Sequence, residues 1–181
     1  MVDKTAFSEK LRKRIEAEGP LSVEQWMDAC LADPDGGYYM TRDPFGRHGD
    51  FITAPEISQM FGELLGLWTA VMWQSMGAPE RVRLVELGPG RGTLMADALR
   101  AANSLPGFID AVSVHMVETS PVLTARQQDK LSGAPCPVTW HETFEAVPGG
   151  PVIVLANEFL DALPVRQWVL HDGQWLERMV G

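Results

Sequence analysis

The feature that most constrains the fold is a glycine-rich run, Glu86–Gly92 (ELGPGRG), which joins an apolar segment to a helical one. Residues 81–87 predict a β-strand, and residues 93–102 predict a helix. Glycines in the turn between them let the backbone approach a ligand closely, because no side chain intervenes. Ligands of open α/β sheets bind at the carboxyl ends of strands, so this turn predicts a binding site.

After this turn the chain alternates apolar segments with helical ones, which predicts a parallel sheet covered by helices. Strands are predicted at residues 81–87, 112–118, 138–140, 152–156 and 165–170, and the last of them turns into 174–180 as a hairpin. With these strands numbered 1 to 5, we expect the sheet order 3-2-1-4-5 and a ligand beside strands 1 and 4. Residues 1–77 instead predict helices, so the chain divides into a helical region at 1–77 and an α/β region at 78–181.

Two pairs of residues in the helical region match the capping box, in which each side chain bonds the backbone N–H of the other residue. The pairs are Ser22 with Gln25 and Thr53 with Glu56. Thr53 is expected to open one long helix that continues to about Met76. That helix has an apolar stripe, which we interpret as core packing. The stripe comprises Ile57, Phe61, Leu64, Leu65, Trp68 and Met72.

The charge balance limits the classes of partner. With 15 basic and 24 acidic residues the formal net charge is −9, which argues against binding to a phosphate backbone. The apolar segments are far shorter than the roughly 20 residues that a membrane-spanning helix needs. We therefore expect neither a nucleic-acid partner nor a membrane span.

The N-terminal residues and the cysteines bear on the compartment. Residues 4–16 mix basic and acidic side chains without an apolar run, which excludes a secretory signal and disfavours a mitochondrial presequence. Cys30 and Cys136 lie far apart and belong to no CxxC or other metal-binding spacing. The sequence therefore predicts a cytoplasmic protein with reduced cysteines and no metal site, and it disfavours the mitochondrial matrix.

The spacing of the loop glycines distinguishes between cofactors. Gly88, Gly90 and Gly92 form GxGxG, whereas dinucleotide folds use GxGxxG and phosphate loops continue with Lys and Ser or Thr. Glu86 precedes the first glycine, and a carboxylate there disfavours an anion and suits a ligand that carries an ammonium group. The alternative is a tight turn that needs glycine for its geometry alone.

Glu118 ends the second predicted strand, 26 residues after Gly92. A carboxylate in this position can accept hydrogen bonds from both hydroxyls of a ribose, as in nucleotide-binding folds. The alternative is a solvent-facing glutamate at a strand end. Together with the loop, Glu118 predicts an adenosine-type cofactor, and the GxGxG form favours S-adenosylmethionine over NAD. Ser120 and Pro121 then predict the start of a helix that runs to Gly133.

Three polar residues follow the fourth predicted strand: Asn157, Glu158 and Asp161. In the expected sheet order they would face the sulfonium of the cofactor. Methyl transfer mainly requires a nucleophile held near contact distance, and carboxylates there could orient a guanidinium and accept a proton. We name these three as candidate catalytic residues. The alternative is that Asn157 or Asp161 caps a short helix at 158–163.

Four segments carry a family resemblance. They are Gly49–Gly66 (GDFITAPEISQMFGELLG), Glu86–Arg100 (ELGPGRGTLMADALR), His115–Leu123 (HMVETSPVL) and Ala156–Val165 (ANEFLDALPV). In this order they resemble the MidA-like class I methyltransferases, a family that includes a mitochondrial arginine methyltransferase assisting complex I assembly and its bacterial relatives. The resemblance implies a Rossmann-like class I methyltransferase sheet with an N-terminal helical extension. It also implies S-adenosylmethionine as cofactor and a protein arginine as acceptor.

The resemblance assigns further roles to residues. It implies that the glycine loop and Glu118 bind S-adenosylmethionine, and that the segment with Gly49 and Thr53 lies over the cofactor cleft. Asp50 and Glu56 are further candidates to touch the cofactor or the arginine, although a capping box already accounts for Thr53 and Glu56. The mitochondrial member is understood to dimethylate an arginine of a complex I subunit, so a subunit of that complex is the implied protein substrate.

Members of the family are longer than this chain, and their sheets have further strands. We therefore expect an N-terminal half that is truncated before the last strands and lacks much of the acceptor pocket. Two other functions stay open. One is a non-catalytic assembly factor that binds the cofactor or a partner protein. The other is an NAD-dependent oxidoreductase, which the GxGxG spacing disfavours.

Overall fold

The computed structural model describes residues 4–40 and 53–181. In chain order its helices are α1 (Lys4–Glu18), α2 (Val23–Ala32), α3 (Ala54–Ile57), α4 (Gln59–Ser75), α5 (Thr93–Ala102), α6 (Phe108–Ala111) and α7 (Pro121–Lys130). Its strands are β1 (Leu21–Ser22), β2 (Val82–Leu87), β3 (Val112–Val117), β4 (Val138–His141), β5 (Val152–Leu155), β6 (Trp168–His171), β7 (Gln174–Glu177) and β8 (Met179–Val180). Short 3-10 turns lie at Phe144–Ala146 and Leu160–Ala162.

Contacts along the chain define two compact units. The smaller unit comprises residues 1–42 and 160–181, and the larger comprises residues 43–159. This division places α4 in the same unit as the parallel sheet, whereas the sequence-based organisation grouped residues 1–77 together. The glycine-rich turn lies inside the larger unit.

The centre of the larger unit is a parallel four-stranded sheet in the order β4-β3-β2-β5. β2 pairs with β3 up to Leu87 opposite Val117, and with β5 up to Glu86 opposite Leu155. The carboxyl ends of these three strands therefore lie along one edge of the sheet. This order confirms the prediction for the first four strands, and with the intervening helices it confirms the α/β fold class.

One face of this sheet carries the hydrophobic core, because alternate residues of each strand point to the same side. Leu84, Val114 and Met116 are at most 1% exposed, and they share a cluster with Met95 and Leu99 of α5. Full burial of one such side chain stabilises the fold by about 1.5–3 kcal/mol relative to exposure. The core therefore holds β2 and α5 firmly on both sides of the turn that joins them.

β5 is different from the other strands of the sheet. Ile153 and Leu155 are buried, but Val152 and Val154, which point to the opposite face, are each 39% exposed. β5 also pairs with β2 alone among the described strands. Parallel sheets usually have both faces covered, and here the face with the two valines is partly open.

Helix α4 packs on α5 through two glycines. A Cβ at Gly62 would lie 2.7 Å from the Cβ of Asp97, and a Cβ at Gly66 would overlap with the backbone of Ala98. Glycine inside a helix normally costs about 1 kcal/mol relative to alanine. The close approach of α4 and α5 explains why glycine occupies both positions.

The capping box predicted for Thr53 and Glu56 is wrong. Thr53 lies at the N-cap of α3, but its side chain makes no capping hydrogen bond. Glu56 is instead turned toward α5, where it accepts a hydrogen bond from Thr93. The predicted long helix is also interrupted, because Ser58 has an extended backbone between α3 and α4.

The apolar stripe predicted for that helix is divided between two surfaces. Phe61, Leu65 and Met72 pack against the core, whereas Leu64 and Trp68 are 61% and 46% exposed. Ile57, at the end of α3, is exposed as well. The interpretation of the whole stripe as core packing is therefore wrong, because the surface that α4 buries is narrower than the stripe.

In the smaller unit, the capping box predicted for α2 is confirmed. Ser22 Oγ accepts a hydrogen bond from the Gln25 N–H at 3.1 Å, and Gln25 Oε1 accepts one from the Ser22 N–H at 2.9 Å. The short strand β1 pairs antiparallel with β8. Within residues 4–40 and 53–181, no helix combines the length and apolar character that a membrane crossing requires.

The prediction of a fifth strand in the parallel sheet is wrong. β6 pairs antiparallel with β7, and the two form a separate sheet. The predicted hairpin is confirmed: Asp172 and Gly173 have φ values of 47° and 78°, as a tight two-residue turn requires. Arg166 adds two hydrogen bonds to the Glu177 carboxylate, at 2.8 and 2.9 Å. The backbone hydrogen bonds of β6 are therefore made with β7, its neighbour in the chain. Hydrophobic periodicity predicts a strand but does not identify the strand with which it pairs.

Candidate functional site

The glycine loop after β2 requires glycine for its backbone conformation. Gly88, Gly90 and Gly92 have φ values of 61°, 55° and 74°, in the left-handed region that costs other residues roughly 1–2 kcal/mol. A Cβ at Gly88 would also lie 2.5 Å from the ring of Phe159, which follows β5. The loop is therefore closely packed against Phe159 at Gly88, and its backbone requires glycine at all three positions.

Glu86, near the end of β2, is a buried acid. It is 3% exposed, and its Oε2 atom has no hydrogen-bond partner among the described residues. Burial, together with the nearby charge of Glu118, raises the pKa of Glu86 to about 8. The sequence argument treated Glu86 as a carboxylate, but at neutral pH this buried group is mostly protonated.

Glu118, just beyond β3, is held by two hydrogen bonds. Its Oε1 accepts from the Ser120 N–H at 2.8 Å, and its Oε2 accepts from Gln127 Nε2 at 3.1 Å. Burial raises the pKa of Glu118, and the hydrogen bonds oppose that change. The Thr119 backbone also contributes a hydrogen bond that lowers this pKa. An ionised carboxylate has about four acceptor positions, so acceptor capacity remains for a ligand.

Ser120 begins α7 without capping it through its side chain. It occupies the N-cap position and Pro121 the first helical position, as predicted, and the helix ends at Lys130 rather than near Gly133. Its hydroxyl is fully buried and has no hydrogen-bond partner among the described residues. Buried polar atoms are nearly always paired, so Ser120 Oγ and Glu86 Oε2 mark this region as one that suits a polar ligand.

Gln127 of α7 connects the parts of the site, and sequence reasoning missed it. Its Nε2 donates to the Gly90 carbonyl at 2.8 Å and to Glu118, while its Oε1 accepts from Trp140 Nε1 at 2.9 Å. The signal that the sequence offered is its spacing, because Gln127 follows Leu123 by four residues and so lies on the same face of α7. That signal does not reveal which groups the amide contacts.

Glu56 links α3 to the start of α5. Its Oε1 accepts from Thr93 Oγ1 at 2.5 Å, and its Oε2 lies 3.6 Å from an Arg91 nitrogen. Lys130 of α7 donates to the same Thr93 hydroxyl at 3.1 Å. Glu56, a candidate from the sequence, is therefore placed beside the glycine loop, whereas the side chain of Thr53 makes no capping hydrogen bond.

The three candidate catalytic residues follow β5 in the chain. Asn157 is partly buried and Glu158 is exposed, and both belong to the larger unit. Asp161 is exposed in a 3-10 turn of the smaller unit. Glu158 has a φ of 48°, an uncommon conformation for a residue other than glycine, and such outliers concentrate at functional sites.

Two candidates from the sequence, Gly49 and Asp50, lie outside the described residues. Within residues 4–40 and 53–181, no group of three or more His, Cys, Asp or Glu side chains is arranged to hold a metal ion.

The part of the chain that contains the glycine loop and Glu118 matches a known protein family. The family described as "Putative S-adenosyl-L-methionine-dependent methyltransferase" matches residues 64–181, more than half of the chain. The chain therefore belongs to this methyltransferase family, which confirms the resemblance.

Among similar proteins, one from Drosophila melanogaster is named protein arginine methyltransferase NDUFAF7 homolog, mitochondrial. It is 42% identical over 97% of this chain and 44% of its own length. The human protein arginine methyltransferase NDUFAF7, mitochondrial, is 38% identical over 97% of this chain and 45% of its own length. The chain thus spans less than half the length of these relatives.

A solved structure supports the fold and the cofactor class. It is a crystal structure of a COG1565 superfamily member from Burkholderia thailandensis, described as a likely methyl transferase bound to S-adenosyl-homocysteine. It is 31% identical, with a TM-score of 0.78, over 97% of this chain and 46% of that protein. The fold of the chain is therefore that of a class I methyltransferase.

The predicted location is wrong. The sequence predicted a cytoplasmic protein and disfavoured the mitochondrion, but the relatives from fly, frog and human are named as mitochondrial. The prediction depended on the mixed charges of residues 4–16, and these lie in helix α1, which buries Leu11. Their charges reflect the surface of a folded helix and carry no information about targeting.

Proposed function

We propose that this chain binds S-adenosylmethionine at the glycine loop and contributes the cofactor-binding part of a protein arginine methyltransferase linked to respiratory complex I assembly. The observation that carries the proposal is the pair of buried polar atoms without partners, Glu86 Oε2 and Ser120 Oγ, beside a loop of left-handed glycines. An adenosyl amino acid supplies hydroxyl, amino and ammonium groups to such atoms.

The residues present fit this cofactor. Glu118 has acceptor capacity left for the ribose, because the bonds from Ser120, Gln127 and the Thr119 backbone do not fill all four positions of its carboxylate. Gly88 and Gly90 leave the loop backbone accessible, since neither carries a side chain. Glu86 would face a cationic group, and contact with an ammonium would favour its ionised form.

When bound, the cofactor supplies an electrophilic methyl group on a sulfonium. The task of the protein is then to hold an acceptor nitrogen in line with that methyl and to remove a proton. We assign this role to Asn157, Glu158 and Asp161, whose amide and carboxylates can bond a guanidinium. The uncommon backbone of Glu158 and its position three residues after β5, the strand that pairs with β2, support this assignment.

Calorimetric titration of the 181-residue chain with S-adenosylhomocysteine tests the cofactor site. Binding that is lost in a glycine-loop variant supports the proposal, and a wild-type chain that binds no S-adenosylhomocysteine contradicts it. NADH serves as the comparison ligand, because an NAD-dependent enzyme would bind it instead.

A second candidate function is cofactor binding without transfer, as in a non-catalytic assembly factor. The exposure of Glu158 and Asp161 favours it, because an acceptor site should enclose its catalytic carboxylates. Mass spectrometry of an arginine-containing complex I subunit, incubated with S-adenosylmethionine in the presence and absence of the full-length protein, distinguishes the two. Methylated arginine supports transfer, whereas binding without methylation supports the second candidate.

A further inference from the structure

The side chain of Gln127 joins three segments that the sequence separates widely. It is completely buried, and it contacts the glycine loop through Gly90, the strand-end acid Glu118 and the indole of Trp140 on β4. All three of its hydrogen bonds are between 2.8 and 3.1 Å. The two residues that accept hydrogen bonds from its amino group, Gly90 and Glu118, belong to the proposed cofactor site.

The orientation of this amide follows from the chemistry of its neighbours. The indole N–H of Trp140 can only donate, so the atom facing it must be the carbonyl oxygen of Gln127. The amino group is then turned toward the Gly90 carbonyl, which can only accept, and toward Glu118. Trp140 therefore determines which groups Gln127 can bond.

The helix turn that carries Gln127 also lies close to the glycine loop. A Cβ at Gly92 would lie 3.4 Å from Gln127 Cγ and 3.5 Å from its Cα, so α7 packs directly beneath the loop. The Ser120 N–H holds one oxygen of Glu118, and Gln127 holds the other. Without the Gln127 amide, the second oxygen would lose this hydrogen bond and the carboxylate group of Glu118 could rotate more easily.

We propose that Gln127 is a positioning residue that directs Glu118 toward the ribose of the nucleoside and fixes the glycine loop, with its own orientation set by Trp140. The inference rests on the proposed function, because it needs a nucleoside at Glu118. Gln127 itself touches no ligand in this arrangement; it acts through the residues that do.

The test compares Gln127→Met, which keeps the length of the side chain and removes its polar atoms, with Leu123→Ala. Leu123 is the other buried residue of α7, so its truncation destabilises the same helix while leaving the three hydrogen bonds of the Gln127 side chain in place. Each chain is titrated with S-adenosylhomocysteine and with its 2′-deoxyribose analogue. The ratio of the two dissociation constants measures how well the ribose hydroxyls are recognised.

We expect the wild type and Leu123→Ala to prefer the ribose ligand by about tenfold or more, and Gln127→Met to lose most of that preference. A ratio in Gln127→Met equal to that of the wild type would overturn the inference, and so would an equal loss in Leu123→Ala. If the wild type binds neither nucleoside, the proposed function fails and the inference fails with it.

A second measurement needs no ligand. Carbon-13 NMR of the Glu118 carboxyl group follows its titration in the wild type and in Gln127→Met. Removing the amide takes away a hydrogen bond that lowers the pKa of Glu118, so the carboxyl should titrate at higher pH in the variant. An unchanged titration would show that Gln127 does not act on Glu118, even where the cofactor binds normally.

Discussion

Glu86 and Glu118 lie at the ends of adjacent parallel strands, and the charge of Glu118 adds to burial in raising the pKa of Glu86 to about 8. The charge of one acid thus disfavours the ionisation of its neighbour. A bound cation is the simplest means of relieving this repulsion.

The pH dependence of stability should report on Glu86. Between about pH 4.5 and pH 8 the folded chain holds a proton on Glu86 that the unfolded chain has released. The bound proton stabilises the folded chain. This stabilisation is fully present below about pH 4.5, and as the pH increases toward 8 the free energy of unfolding decreases by up to about 1.4 kcal/mol per pH unit. Urea unfolding at pH 5.5 and 7.5 should show the wild type losing free energy of unfolding relative to Glu86→Gln. An equal difference at both pH values would contradict the buried, protonated acid.

Ligand binding should release a proton from Glu86. If S-adenosylhomocysteine places its ammonium near this acid, Glu86 ionises on binding at pH 7, where it is mostly protonated beforehand. Calorimetry in buffers of different ionisation enthalpy measures the number of protons released, and Glu86→Gln is the control. If the wild type and Glu86→Gln release the same number of protons, Glu86 does not contact the ammonium group.

Substitution of Gly90 should abolish cofactor binding. In Gly90→Val a β-branched residue must adopt a φ of 55°, and its side chain enters the loop where the nucleoside should approach. Gly133→Val is the matched control, because no atom lies within 4 Å of a Cβ there. Circular dichroism checks that both variants fold. Wild-type affinity for S-adenosylhomocysteine in Gly90→Val would place the site elsewhere.

Removal of the Glu118 carboxylate should weaken binding of S-adenosylhomocysteine by about 1–3 kcal/mol, since the ribose hydroxyls then lose a charged partner. Titration of Glu118→Ala measures the loss. Glu145→Ala, which removes an exposed acid from the same unit, should bind as the wild type does. Equal affinities of Glu118→Ala and Glu145→Ala for S-adenosylhomocysteine would contradict the assignment of Glu118 to the ribose.

Gly66→Ala should destabilise the chain, although helix propensity alone predicts a gain of about 1 kcal/mol. The added methyl overlaps with the backbone of Ala98, so α4 and α5 must move apart, at a cost of about 1–3 kcal/mol. Urea unfolding should show the loss, with the exposed Gln74→Ala on the same helix near the wild type. A more stable Gly66→Ala would mean that the two helices are not so closely packed.

The sequence predicted the parts of this fold that depend on local chemistry. Three glycines between a strand and a helix predicted the turn, and their positive φ values explain why glycine occupies all three positions. The four-strand order followed from the alternation of strands and helices. Ser22 and Gln25 formed the predicted cap because both partners are close in the chain.

The sequence did not predict features that depend on distant partners. The same capping pattern failed at Thr53, because Glu56 bonds Thr93, 37 residues away, instead of its own helix. Gln127 was missed for a related reason: its three partners lie on a loop, a strand end and another strand. The ionisation of Glu86 was also misjudged, since burial is a property of the whole unit.

The exposed valines of β5 affect how the isolated chain should be handled. Among the described strands β5 is an outer strand, and its unpaired backbone groups form a template on which another chain can add a strand. Mutual repulsion from a net charge of −9 counteracts such association, and dissolved salt screens that repulsion. Concentrated samples should therefore stay monodisperse best in dilute buffer, and crystallisation from strong salt would select pairs joined along this strand.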